Sequence, residues 1–221
     1  MSVVFDIVQA GLIEISPTEG IKDSRPTSSL LTLGGFRLLI DTEHPKEDGT
    51  VYKASLARLG VSAEDIGAVL FTHLHPDHMG HKEMFAGAVF VFHEQDRFGF
   101  YFDHDRTTRL KGDALLELTP QGIMEPRYLA CEPDLGQLGD RLWLKHIPGH
   151  TQGSLMIFAN IAGRVHAFVG DTFLNKDYYD RWEPPGSSWD KDRIYAHMEY
   201  AKRNADVIVP GHGPPFPTGR R

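Results

Sequence analysis

Eleven residues from Phe71 to His81, FTHLHPDHMGH, hold four histidines and one aspartate. Neutral imidazole gains little from burial and charged imidazoles repel one another, so such crowding is favourable only where a cation binds between their lone pairs. Imidazole together with carboxylate is the donor set that Zn²⁺ and its first-row relatives accept, and an ion offsets the cost of repulsion and desolvation. In an extended segment residues two apart point the same way, so His73 and His75 can converge on one ion. Pro76 disfavours helix just before it, and Asp77 with His78 then turns the chain so that these two side chains reach a second point.

Three other segments carry one potential ligand each. IPGHTQGS places His150 in a turn set by Pro148, Gly149 and Gly153; FVGDTF places Asp171 after a strand; VIVPGHGPPF does the same for His212. Singly, each is an ordinary turn residue. Together they emerge from strand ends in the order HxHxDH, H, D, H, for which chance is a poor account.

The elements that must position these residues alternate along the chain. SVVFDIVQAG (2–11) and GGFRLLIDT (34–42) are β-branched and apolar runs bounded by glycine and polar residues, as strands are. AVLF (68–71), AVFVFH (88–93), LWLKHI (142–147), SLMIFAN (154–160), RVHAFVG (164–170) and VIVP (207–210) read the same way. Tyr52, Leu56 and Leu59 fall at helical spacing before Gly60, a plausible stop. Ser62 with Asp65 forms a capping pair, Val61 and Ile66 a hydrophobic staple, and a short helix is expected to follow. Ile194, Met198 and Ala201 make the apolar stripe of a last helix over 191–204. Strands interleaved with helices indicate a layered α/β or α+β domain, with the histidine-rich stretch at a strand's C-terminal end, where open sheets place ligand loops.

Composition limits the function. The 221 residues, 41% hydrophobic and 24% charged, suit one globular domain over 1–221, with no repeat or linker. No stretch approaches the ~20 apolar residues of a membrane span. MSVVFDIVQAG lacks the pattern of a secretion signal, so a cytoplasmic location is the default expectation. Cys131 is the only cysteine, which excludes an internal disulfide; a buried or half-buried inert thiol is expected there. With 30 acidic against 23 basic residues and a net charge of -7, the balance argues against a nucleic-acid partner held by a broad basic face.

THLHPDH, PGHT, GDT and PGHG, in this order and with these gaps, resemble the metal-binding motifs of the metallo-β-lactamase fold superfamily, and Asp41 in LLIDT resembles its first motif. The resemblance implies an α+β, four-layer αββα sandwich with a site at one edge. It also implies that His73, His75 and His150 hold one metal, that Asp77, His78 and His212 hold a second, and that Asp171 bridges them. Two Zn²⁺ ions per chain are the expected cofactors, with iron or manganese compatible with the same donors. Two such ions about 3.5–4 Å apart share a water whose pKa drops toward ~7, giving a bridging hydroxide while one metal polarises a carbonyl or phosphoryl oxygen. Asp77 is then the candidate for orienting the nucleophile and moving its proton, and Asp41 for fixing a ligand imidazole from behind.

The ligand pattern narrows the branch. True β-lactamases of this fold mostly replace the bridging aspartate, often with cysteine, whereas Asp171 stands here; the diiron oxygen reductases have glutamate where His75 stands. Glyoxalase II shares the ligand set but adds a helical C-terminal region, and only nine residues, 213–221, follow His212. A hydrolase of esters, lactones or thioesters acting on a small molecule is expected, closer to the glyoxalase II and lactonase-like branch. The alternatives are a phosphodiesterase or nuclease of the same fold, and a mononuclear iron dioxygenase using only His73, His150 and Asp171; a non-catalytic metal-binding module is a third. Segments 97–113 and 173–192, mixing aromatics with charges, are expected either to shape the substrate pocket, with Tyr178, Tyr179 and Trp182 as candidates, or to pack as long loops or a homodimer contact. His44, His81, His93, His104, His146, His166 and His197 have no motif and read as ordinary surface or strand residues.

Overall fold

Several strands of this chain are apolar on both faces, and the fold shows why: each of two sheets is covered twice. The computed structural model describes residues 3–102, 104–119, 122–123 and 125–220. Ser2 of the expected first strand and Asp103 of the 97–113 segment lie outside them.

The first sheet draws on β1 (Val3–Gln9), β4 (Ser28–Leu33), β5 (Phe36–Ile40), β6 (Ala68–Leu70), β7 (Val89–His93) and β8 (Thr107–Leu110), in the order β1-β4-β5-β6-β7-β8. Between β1 and β4 a hairpin of β2 (Leu12–Ser16) and β3 (Gly20–Arg25) stands apart as its own two-stranded sheet. Strands β5 to β8 run parallel, so their C-terminal ends share one edge. After β9 (Ala114–Leu116) a second small hairpin, β10 (Leu118–Thr119) with β11 (Gly122–Ile123), precedes β12 (Arg127–Tyr128). The second sheet continues with β13 (Leu142–His146), β14 (Leu155–Ile161), β15 (Arg164–Gly170), β16 (Val207–Pro210) and β17 (Phe216–Pro217), ordered β12-β9-β13-β14-β15-β16-β17. Only β15 and β16 pair in parallel there.

Side-chain alternation divides each strand between two cores. Leu31, Leu38, Ile40, Leu70 and Val91 meet Leu142, Leu144, Leu155, Ile157 and Phe168 between the sheets. The intervening residues face outward. Leu30, Leu39, Val69 and Phe90 pack under helix α1 (Gly49–Arg58) through Tyr52 and Leu56. Trp143, Met156, Phe158 and Ala167 pack under helix α3 (Lys191–Asn204) through Ile194, Met198 and Ala201. Helix, sheet, sheet, helix is the αββα order expected. Among the described residues no helix is long and apolar enough to cross a membrane.

Most expected elements appear within two residues of their bounds; several details differ. Ser62 and Asp65 do form a capping box, but it closes a single 3₁₀ turn, Ala63–Asp65, and no longer helix follows. The segment 12–33 carries no expected element yet contains β2, β3 and β4; the β2–β3 hairpin is largely exposed, with Leu12, Ile15 and Ile21 facing solvent rather than a core. The segments 97–113 and 173–192 are not plain loops, since they contain β8 and a short helix α2 (Lys176–Arg181). Cys131 is exposed rather than buried, because it falls in an irregular stretch beyond edge strand β12.

Candidate metal centre

All seven side chains marked by the motifs meet at the edge where β5, β6, β13, β15 and β16 end. His73 and His75 leave β6, with Asp77 and His78 in the turn that follows. His150 sits in the β13–β14 loop, Asp171 one residue beyond β15 and His212 two beyond β16.

Their donor atoms form two overlapping sets. His73 Nε2 lies 3.1 Å from His75 Nδ1, which lies 2.9 Å from His150 Nε2. In the other set His78 Nε2 and His212 Nε2 are 3.3 Å apart, with Asp77 Oδ2 at 3.9 Å from the first and 3.7 Å from the second. Asp171 spans them: Oδ2 is 3.4 Å from His150 Nε2, while Oδ1 is 3.3 Å from His78 Nε2 and 3.2 Å from His212 Nε2. Donors 2.0–2.1 Å from a tetrahedral ion stand about 3.3–3.4 Å from one another, so both sets have the spacing a first-row divalent cation requires. Asp171 Oδ1 is buried without a hydrogen-bond donor, as an oxygen meant for a cation would be.

The outer atoms of the rings determine which nitrogen faces inward. His78 Nδ1–H donates to Asp41 Oδ2 at 2.9 Å, and His212 Nδ1–H donates to the Arg25 carbonyl at 2.8 Å. Thr72 donates both its N–H and its hydroxyl to Asp41, each at 2.7 Å, which leaves the Thr72 oxygen to accept from His73 Nδ1–H at 3.2 Å. One carboxylate thus fixes two imidazoles, leaving their Nε2 lone pairs aimed at the centre. Asp41 is held for this in a left-handed conformation, φ 54°, one that aspartate tolerates better than most residues.

Two glycines let the edge close. At Gly170, where φ is +48°, a Cβ would press on Thr72, and at Gly211 it would overlap the Asp171 carboxylate. This is the physical content of the GDT and PGHG signatures.

Burial and charge act differently on the rings. Burial pushes His73 well below the ordinary imidazole range and His150 down to about 4, keeping both neutral. Burial also opposes charge on His78 and His212, but carboxylates outweigh it: Asp171, Asp41 and Asp77 raise His78 well above its usual value, and Asp171 raises His212. Burial of Asp77 is likewise overcome, by His78 and by the Ser24 hydroxyl, which donates to Oδ2 at 2.6 Å; its pKa is lowered.

Sequence reasoning missed the supports. Ser24 and the Arg25 carbonyl come from the β3 hairpin strand, and Thr27 ties the same segment to the His212 loop by donating its N–H to the Gly211 carbonyl at 2.6 Å. Asp96, buried beyond β7, accepts from Leu74 N–H at 3.0 Å and from the Thr151 hydroxyl at 3.1 Å, joining the two loops that carry His73, His75 and His150. Thr72 adjoins a motif and could have been found; Ser24 and Asp96 carry no local signal. Tyr179 and Trp182 pack on Phe173 beneath the second sheet, and Tyr178 sits under Arg181, so none of these three aromatics lines the cavity beside the cage. That cavity, of about 470 Å³, is bounded by His75, His150, Thr151 and Gln152 together with Arg97 and the 187–189 stretch.

The sequence profile of the metallo-β-lactamase superfamily matches residues 22–212. Metallo-beta-lactamase domain-containing protein 1 of Xenopus laevis is 31% identical over 192 residues, 86% of this chain and 71% of that protein. For the Homo sapiens protein of the same name the figures are 30% over 187 residues, 81% of this chain and 59% of that one, so this chain spans only part of these relatives. Among solved structures, a quorum-quenching N-acyl homoserine lactone hydrolase superposes with a TM-score of 0.66 at 16% identity, covering 96% of this chain and 93% of that one. A Thermotoga maritima protein described as a metallo-β-lactamase gives 0.68 at 19%, covering 98% and 100%.

Proposed function

From a chain that belongs to the metallo-β-lactamase superfamily and is a metal-dependent hydrolase, we propose a dinuclear enzyme that cleaves an ester, lactone or thioester of a small molecule. The observation that carries this reading is the cage itself, two three-donor sets joined by one carboxylate. His73, His75 and His150 would hold one ion and Asp77, His78 and His212 a second, with Asp171 placed to serve both sets. Zinc suits these donors, and iron or manganese accept them too. Two bound ions supply a water acidified toward neutral pH and a Lewis acid for the substrate oxygen.

The protein's own groups do the rest. Asp77, ionised at neutral pH and pinned by Ser24, accepts a hydrogen bond from the attacking water and orients it; its carboxylate is then placed to receive the proton and pass it to the leaving oxygen or sulfur. Asp41 and Thr72 keep His73 and His78 from rotating as charge redistributes. The cavity on the His75 and His150 side has the volume of a small-molecule site and, among the described residues that line it, a single Arg rather than the basic track a nucleic-acid backbone needs. Lactone hydrolysis by the structurally similar N-acyl homoserine lactone hydrolase supports lactones as one substrate class.

The test is elemental analysis followed by a panel of esters, lactones, thioesters and phosphodiesters, with wild type beside Asp77→Asn and His150→Ala. Two divalent ions per chain and acyl-bond turnover lost in both variants are expected. Equal activity in all three proteins would remove the mechanism.

A further inference from the structure

We propose that Arg97 is the specificity-determining residue of this cavity and selects substrates that carry a second, non-reacting carboxylate; the proposal rests on the acyl-hydrolase reading above. The first observation is charge. In a chain of net charge -7, the cavity next to the three-imidazole set is bounded by no Asp or Glu side chain, and apart from the histidines Arg97 is its one ionisable group among the described residues. Its remaining boundary is neutral: Thr151, Gln152, Ser187, Ser188 and the ring of Trp189.

The second observation is that Arg97 is uncommitted yet well placed. It makes no ion pair among the described residues, although many other Lys and Arg side chains of this chain do. Its guanidinium lies 4.6 Å from the Phe98 ring centroid, and that ring is 6.5 Å from the His75 imidazole. A cation stacked on an aromatic face keeps its planar N–H edge free for an incoming anion. The backbone beneath is fixed by Asp96, whose carboxylate takes Phe98 N–H at 3.3 Å as well as the Leu74 and Thr151 donors. Arg97 therefore stands no more than about 11 Å from the His75 imidazole.

The chemistry of one guanidinium chooses the ligand. A single planar fork matches the two oxygens of a carboxylate, whereas a polyphosphate or nucleic-acid backbone calls for several cations along a groove. Serine and threonine hydroxyls and the Trp189 ring suit a short spacer between that carboxylate and the scissile acyl group.

Two measurements on zinc-loaded protein test this. In calorimetric titration, glutarate should bind wild type at least ~10-fold more tightly than its monoamide, glutaramate, since one carboxylate in each can reach the metals and only glutarate has a second for Arg97. In Arg97→Gln the two should bind within about twofold of each other, with Arg97→Lys between, because lysine keeps the charge and loses the fork. In kinetics, thioesters matched except for a terminal carboxylate or carboxamide should show the same preference, expressed in KM, and Arg97→Gln should bring their ratio near one. Each comparison is made within one protein, so a folding defect cancels. An unchanged glutarate preference in Arg97→Gln overturns the proposal. A preference that needs Arg97, with no acyl bond cleaved, keeps the anion site and ends the hydrolase reading. Turnover with no charge preference does the reverse.

Discussion

The two halves of the cage have the same number of donors and opposite characters. On the side of His73, His75 and His150, burial favours the neutral imidazoles, His75 is half-buried, and His75 and His150 open onto the cavity. On the side of Asp77, His78 and His212 every donor is braced from behind, by Ser24, Asp41 and the Arg25 carbonyl, and carboxylates raise both imidazoles. The first half opens toward the cavity, and the second is closed in by its hydrogen-bond partners. Equal ligand counts do not make equal sites; the hydrogen bonds behind the ligands and the carboxylates around them set the difference.

The comparison breaks most completely at its joint. Asp171→Asn weakens both halves at once, so kcat/KM should fall at least ~10³-fold and bound metal should drop below one ion per chain; two ions retained by the variant would show that the halves do not share this carboxylate. Asp41→Asn should act unequally. It removes the acceptor that orients His78 directly and His73 through Thr72, costing ~10–100-fold in metal affinity, read by chelator competition, with the ion of the braced half released first.

A third test separates the cage from its surroundings. His93, buried at the end of β7, stacks on His146 with ring centroids 3.6 Å apart, and burial pushes its pKa down to about 4. An unfolded chain titrates this group near pH 6.5. Its contribution is complete above that pH and is lost as pH falls through 4, because the unfolded state takes up the proton first. His93→Phe should therefore remove on the order of 2 kcal/mol of acid destabilisation between those limits, measured as urea midpoints against pH; curves that stay parallel to wild type would show that His93 is not its source. The smallest effect belongs to Ser24→Ala, which takes one donor from Asp77 and should weaken the second ion by about 1–2 kcal/mol, or roughly ten-fold, while sparing the first.

How much of this the sequence carried follows from the range of each interaction. HxHxDH lies within one strand end and one turn, and the glycines of PGHT, GDT and PGHG mark backbone that only glycine lets approach so closely, so the ligands and their order could be read locally. Strands such as LMIFANI were legible as strands from their apolar runs, and burial of every residue from Leu155 to Ala159 shows the sheet covered on both faces. The hairpin over 12–25 packs little of itself into a core and is not among the expected elements, yet it delivers Ser24 and the Arg25 carbonyl to the second half of the cage. Aromatic content by itself does not tell which residues line the cavity: Tyr179 and Trp182 pack on Phe173, while Arg97 and Trp189, from the same two segments, reach it.

The sequence by itself determined the chemistry on offer: five imidazoles and two carboxylates at strand ends, on elements whose periodicity builds a doubly covered pair of sheets. Tertiary structure alone decided which nitrogen of each ring faces the centre, which groups brace the rings from behind, and which cation overlooks the cavity. Those outcomes depend on atoms brought together from positions as far apart as Arg25 and His212, and a contact at that separation leaves no periodicity or local propensity in the chain to be read.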